Sequence, residues 1–147
     1  MSDVKIKNEK PPIYENACAA FRINPKTTIF TYGDTIYNPN NLNLSDDIIA
    51  HERVHIEQQK ANDKDAQIWW TKFLQDPEFR LSQELEAYAK QYNFICQRKT
   101  QNKQIRFNVL KRYAEILSGG LYGNCVSFYR AMQIIREEAE KYEPSIH

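Results

Sequence analysis

Residues 45–60 read SDDIIAHERVHIEQQK. Ser45 is a good helix N-cap, and Asp46 and Asp47 sit where the positive end of a helix dipole favours carboxylates. A helix from there to about Lys60 carries Ile48, His51, Glu52, His55 and Gln59 on one face, with Ile49 and Ile56 adjoining. His51 and His55 then lie one above the other, both imidazoles within reach of a single ion. Glu52 stands beside them. This H-E-x-x-H spacing suits zinc: two neutral imidazoles about 2.0–2.1 Å from the metal, and a carboxylate near enough to handle the proton of a metal-bound water. Histidines serving only as core residues would instead leave two buried polar rings, each in need of its own partner.

On the N-terminal side, residues 1–12 are polar and end in Pro11-Pro12, which reads as a loose arm. Residues 13–23 predict a short helix around Ala17-Cys18-Ala19-Ala20-Phe21. Runs of β-branched and aromatic residues at 27–32 and 35–37 flank Gly33-Asp34, a hairpin signal with its turn near Gly33. Asn38-Pro39-Asn40-Asn41 closes it as a loop. On the C-terminal side, 62–65 is a polar break, and Ala66, Trp69, Trp70, Phe73 and Leu74 follow at helical spacing as a core face. Asp76-Pro77-Glu78 starts a helix to about Arg98, with Leu81, Leu85, Tyr88, Tyr92 and Ile95 as its apolar stripe. A polar turn at 97–103 leads to an amphipathic helix at 105–117, stopped by Ser118-Gly119-Gly120. Leu121-Tyr122-Gly123 is a short link. Asn124 stands as the cap of a last helix reaching about Tyr142 and ended by Pro144. The pattern predicts one α+β domain over residues 1–147, mostly helical, with a small hairpin or sheet along the histidine helix.

A catalytic zinc takes three protein ligands and keeps an open position for water. The third of the three histidines, His147, is the last residue, a poor place for a ligand. A carboxylate from a later helix is therefore expected, and Gln83-Glu84-Leu85-Glu86-Ala87-Tyr88 offers two. At about 100° per residue, Leu85, Tyr88 and Tyr92 cluster within roughly 40° of Leu81, and Glu84 lies about 60° away. Glu86 points to the far side, toward solvent. A carboxylate at the margin of an apolar stripe is costly unless paired or bound to metal. Glu84 is thus the expected third ligand, or else a helix-edge acid paired with a nearby Arg or Lys; Glu86 is the ordinary solvated acid.

H-E-x-x-H followed by a Glu on a later helix resembles the gluzincin plan of zinc metallopeptidases. The string Glu84-Leu85-Glu86-Ala87-Tyr88 resembles the E-x-x-A-D segment of a membrane-type branch of those enzymes, with Tyr88 in place of its Asp. More broadly, a hairpin, HExxHxxQQ, a tryptophan segment, DPEFR and ExEAY look like small metallopeptidase-like proteins encoded by bacteriophages, over about residues 28–92. The resemblance implies a zincin-like active-site helix, one zinc ion per chain, His51, His55 and Glu84 as ligands and Glu52 as base. It also implies a peptide or protein substrate that lies extended along an edge strand of the hairpin. The Asp that often holds the first His in gluzincins is Tyr88 here. No third His follows in the metzincin pattern. The negative intermediate of peptide hydrolysis needs a further donor, for which Tyr88, by helix face, and Tyr122, on the glycine-flanked link, are the candidates.

Twenty basic and nineteen acidic residues leave a net charge of +1, so no basic face is implied and no nucleic-acid partner is expected. The three cysteines, Cys18, Cys96 and Cys125, are widely spaced and odd in number, which fits a reducing compartment rather than a disulfide framework. The N-terminus has no signal-peptide core and no segment reaches the length of a membrane span, so cytoplasmic synthesis is expected, with the host cytoplasm or the virion as site if phage-encoded. The rival from another class is a zinc-binding structural or interaction protein without protease activity. Its mark would be a closed site with Cys96 or Cys125 as fourth ligand.

Overall fold

Gly33 turns the chain at φ +65°, a left-handed conformation that glycine reaches without steric cost. The strands it joins, β2 (Phe30–Tyr32) and β3 (Thr35–Tyr37), pair antiparallel with Thr31 opposite Ile36. These are the expected hairpin. The computed structural model describes residues 4–61, 65–98 and 102–142 of the chain. Among them a third strand appears where a loose arm was expected. β1 (Lys5–Lys7) runs parallel to β3, with Ile6 opposite Ile36, so the sheet order is β1-β3-β2. Lys5 Nζ also reaches Asp34 Oδ2 in the hairpin turn at 2.9 Å. All three residues of β1 are exposed, so the strand exists by backbone pairing with a buried central strand and not by burying side chains. Composition and periodicity carry no trace of that.

Helix α1 (Tyr14–Ala20) occupies part of the predicted 13–23 segment and buries Ala17 completely. The histidine helix, α2 (Asp46–Ala61), begins directly after Ser45, whose carbonyl accepts the first ladder bond from Ile49 N–H. Helix α3 (Ala66–Gln75) is capped by Asp65, and α4 (Pro77–Cys96) by Asp76, whose carboxylate accepts from the Glu78 and Phe79 N–H groups. Helix α5 (Lys103–Leu117) is capped by Asn102. A short 3-10 turn, Gly120–Tyr122, leads to α6 (Phe128–Glu140). The last helix starts later than expected. Asn124 sits at φ +52° in the turn, and Ser127 is the cap, accepting from Arg130 N–H. The stop assigned to Pro144 and the break at 62–64 lie outside the described residues. None of the described helices is long and apolar enough to cross a membrane, and no disulfide joins Cys18, Cys96 and Cys125.

Two apolar clusters divide the interior. One gathers Ile13, Ala17, Phe30, Tyr37, Trp69, Trp70 and Phe73 from α1, the hairpin and α3. The other is built by α5, α6 and the 3-10 turn from Leu110, Tyr113, Ala114, Leu117, Tyr122, Ala131 and Ile135. The α4 stripe of Leu81, Leu85, Tyr88 and Tyr92 packs against this second cluster. Helix α4 therefore has two packed sides, because it also lies along α2. The side toward α2 is polar, carrying Gln83, Glu84 and Gln91 around fully buried Ala87.

Gly123 closes the turn that delivers Tyr122. It holds φ +75°, and a Cβ there would stand 2.9 Å from Pro77 Cβ and 3.2 Å from Cys125 Sγ. Gly123→Ala combines left-handed strain with a contact against a rigid proline ring. It is expected to destabilise the fold by about 2 kcal/mol, read as a lower urea midpoint with an unchanged slope. An unchanged midpoint would mean that the turn is free to rearrange.

Candidate metal centre

The buried side of α2 is unusual in its chemistry. Its buried residues are His51, Glu52, His55, Ile56 and Gln59, so four of the five named are polar. Burying such groups is costly unless each finds a partner. The partners come from β2, from α4 and from the 3-10 turn.

His51 Nε2 lies 3.1 Å and His55 Nε2 2.8 Å from the same oxygen, Oε1 of Glu84. The two rings stand edge to face, 5.1 Å between centroids. His51, His55 and Glu84 each offer one ligand atom, and these atoms lie within 4.8 Å of one another. Both histidines are buried and Glu84 is half-buried. Three donors at zinc–ligand bond lengths in a tetrahedron stand about 3.3 Å apart, so the two histidine–carboxylate distances need to open by only a few tenths of an ångström. The donor set fits a divalent metal with two imidazoles and one carboxylate. Among the described residues the group holds no cysteine. Cys96 lies twelve residues beyond Glu84 on α4, about 18 Å along the axis, and Cys125 is exposed.

Electrostatics in the metal-free protein follow from this geometry. Burial alone would push the Glu84 carboxyl up and His55 down. The mutual attraction of the pair outweighs it, holding Glu84 well below the usual carboxylate range and raising His55 to about 9. At neutral pH a proton therefore sits on His55 against the Glu84 carboxylate.

Glu52 is buried beside the cluster. Its Oε2 is 3.7 Å from His51 Nε2, and its Oε1 accepts a 2.8 Å hydrogen bond from the Thr31 hydroxyl. Thr31 is itself fixed. Its carbonyl accepts from Gln59 Nε2 at 2.8 Å and from Trp70 Nε1 at 2.9 Å, while Gln59 Oε1 accepts from Gly33 N–H. Gln59 thus grips two backbone groups of the hairpin as a neighbouring strand would, and locks β2 to α2. Trp69 packs its ring against that of His55 at 5.4 Å and donates its indole N–H to Gln83 Oε1.

The two tyrosine candidates separate. The Tyr122 hydroxyl donates to Glu84 Oε2 at 3.2 Å, and Tyr122 lines the cleft that opens over the cluster. Burial, with Glu84 adding to it, pushes its phenol far above the usual range, so it stays a donor. Arg80 steadies this turn: its Nε donates to the Leu121 carbonyl, and its Nη1 to the Phe73 and Leu74 carbonyls at the end of α3. Tyr88 stands edge-on against His51, 4.5 Å between centroids, and packs at a tilt against Tyr113. It does not line that cleft.

Glu86, expected to face solvent, is half-buried and accepts from Gln58 Nε2 at 2.9 Å. The small Ala87 lets α2 approach α4 closely enough for residues on both flanks of it to reach across. His147 lies outside the described residues. Sequence reasoning passed over Thr31, Gln58 and Gln91. The two glutamines had a signal: Gln58 follows His55 by one helical turn, and Gln91 follows Glu84 by two.

The cleft has a volume of about 240 Å³. His51, Glu52, His55 and Glu84 form its floor, with Phe21, Ile29, Phe30, Trp70 and Phe73 among its apolar walls. Compared with protein-family models, with curated proteins and with solved structures, the chain matches none.

Proposed function

We propose that this chain is a zinc-dependent peptidase whose water nucleophile is activated at Glu52. The observation that carries the reading is the buried Glu52 carboxylate, held by Thr31 beside His51 Nε2 at the floor of an apolar-walled cleft. A site built only to hold metal has no use for a further buried acid that is not a ligand. The same two imidazoles and carboxylate also suit ferrous iron in oxygenases, but such chemistry gives no role to a neighbouring base. When bound, zinc would supply Lewis-acid polarisation of the scissile carbonyl and a more acidic water.

The residues divide the remaining work. His51, His55 and Glu84 hold the ion. Glu52 takes the proton of the attacking water and returns it to the leaving amine. Tyr122, protonated, gives its one O–H to Glu84 Oε2, and donates to negative charge developing on the substrate oxygen by turning that bond away from the carboxylate. The peptide enters over Ile29 and Phe30. The Thr31 carbonyl is already engaged by Gln59 and Trp70, so strand-like pairing with substrate falls on the part of the hairpin before it.

The test joins metal content to cleavage. The purified protein is expected to hold about one zinc per chain, and to cleave members of a diverse peptide library, read by mass spectrometry. Chelation should abolish cleavage and zinc should restore it. Zinc bound with no peptide cleaved would transfer the site to the structural or interaction reading.

A further inference from the structure

Each metal-facing histidine has a second ring nitrogen, and both are met in the same way. His55 Nδ1 is 2.8 Å from Gln58 Oε1, and His51 Nδ1 is 2.9 Å from Gln91 Oε1. Each glutamine is in turn bound by a carboxylate. Gln58 Nε2 donates to Glu86 Oε1 at 2.9 Å and to the Gln83 carbonyl at 3.0 Å; Gln91 Nε2 donates to Asp47 Oδ2 at 2.7 Å. The histidines lie on one helix, yet Gln58 shares α2 with its histidine while Gln91 comes from α4. The relay has been built twice by different routes.

We propose that Gln58 and Gln91 are positioning residues that hold His55 and His51 with Nδ1 protonated and Nε2 free for metal, each glutamine being oriented by its own carboxylate, Glu86 or Asp47. The argument is one of donors and acceptors. An ionised carboxylate and a backbone carbonyl only accept, so the amide nitrogen must face them. Turning Gln58 over would set its oxygen against two acceptors, and turning Gln91 over would set it against the Asp47 carboxylate. With the nitrogens so placed, both amide oxygens point at imidazole nitrogens. An amide oxygen cannot donate, so each Nδ1 must carry hydrogen. In a neutral ring that leaves the lone pair on Nε2, the atom aimed at Glu84 and at the shared ligand position. Many metal-bound histidines lean on a carboxylate directly. Here a neutral amide stands between, which fixes the ring without placing a further anion against the site.

This rests on His51 and His55 being metal ligands, and not on the peptidase reading. The test is zinc affinity of the full chain, by competition with a chromophoric chelator, together with long-range 1H–15N spectra of the zinc-loaded imidazoles. The parent should show both Nδ1 atoms protonated, with slowly exchanging protons. Gln58→Leu and Gln91→Leu, which keep the bulk and remove the acceptor, should each lower zinc affinity about 10- to 100-fold. The protected Nδ1 proton of the matching histidine should be lost. The charge-conserving swap Gln91→Glu with Asp47→Asn restores an acceptor against a donor and should return affinity to within about threefold of the parent; Gln58→Glu with Glu86→Gln restores the acceptor for His55 but sets a carboxylate oxygen against the Gln83 carbonyl, and should recover only part of the loss. Because the swaps keep packing and charge, they remain informative where a leucine variant fails to fold. Leucine variants that bind like the parent, or swapped pairs that stay as weak as the leucine variants, would overturn the relay. A parent that binds no zinc would instead overturn the ligand assignment on which it stands.

Discussion

Replacing Glu52 with glutamine is expected to leave zinc binding within about threefold of the parent and to lower peptide cleavage by about two to four orders of magnitude. The substitution is nearly isosteric. Glutamine can still accept the hydrogen bond from the Thr31 hydroxyl that now goes to Glu52 Oε1, so the side chain has a reason to stay where it is. What it loses is the capacity to take a proton. The separation between unchanged metal content and lost turnover is what a structural role for Glu52 would not produce. Such a role predicts altered stability or metal affinity, with cleavage following them. An active preparation that keeps its rate in Glu52→Gln would remove Glu52 as base and with it the main support for a hydrolytic reading.

The histidine helix and the face of Glu84 were legible because each is written in local helical spacing. His51 and His55 are spaced by the helix itself, and Glu84 was placed by its angle from Leu81 on a helix whose start, Asp76-Pro77, is written in capping chemistry. The hairpin was legible through Gly33. Other features depend on pairing between distant segments. Nothing in Lys5-Ile6-Lys7 demands a strand until β3 offers an unpaired edge. Gln91 looks like an ordinary helix polar residue until α2 brings His51 and Asp47 against it.

The misreading of Glu86 has a related cause. The apolar stripe of Leu81, Leu85, Tyr88 and Tyr92 marks one packed side of α4, and Glu86 lies away from it. In fact α4 packs twice, and the second side is polar because α2 presents His51, His55 and Gln58 to it. Hydrophobic periodicity detects only the first kind of contact. Where a helix packs around a polar cluster, as α4 does here, the buried face is written in glutamine, glutamate and histidine, and a reading based on apolar spacing passes over it.

The strongest effect on the metal itself is expected at Glu84. Glu84→Gln should lower zinc affinity by more than about 100-fold, since a neutral amide is a poor ligand and the divalent charge loses the anion that lies between the two imidazoles. The same variant should also change the metal-free protein in a pH-dependent way. In the parent, His55 is raised from 6.5 to about 9 by Glu84 against the pull of burial. A histidine with a raised folded pKa stabilises the fold fully below its unfolded value and loses that contribution as pH climbs. The melting temperature of the metal-free parent should therefore fall between pH 6.5 and about 9. Glu84, held below its ordinary 4.5, contributes above that value and loses its contribution as the pH falls below it. In Glu84→Gln both slopes should flatten, because the pair that creates them is gone. Zinc binding to the parent at neutral pH should release about one proton, since the ion must displace the one on His55; calorimetry in buffers of different ionisation enthalpy reads this directly. Parent-like zinc affinity in Glu84→Gln would mean that the third ligand is another group. Flattened slopes with zinc affinity retained would leave Glu84 as a partner of His55 and nothing more.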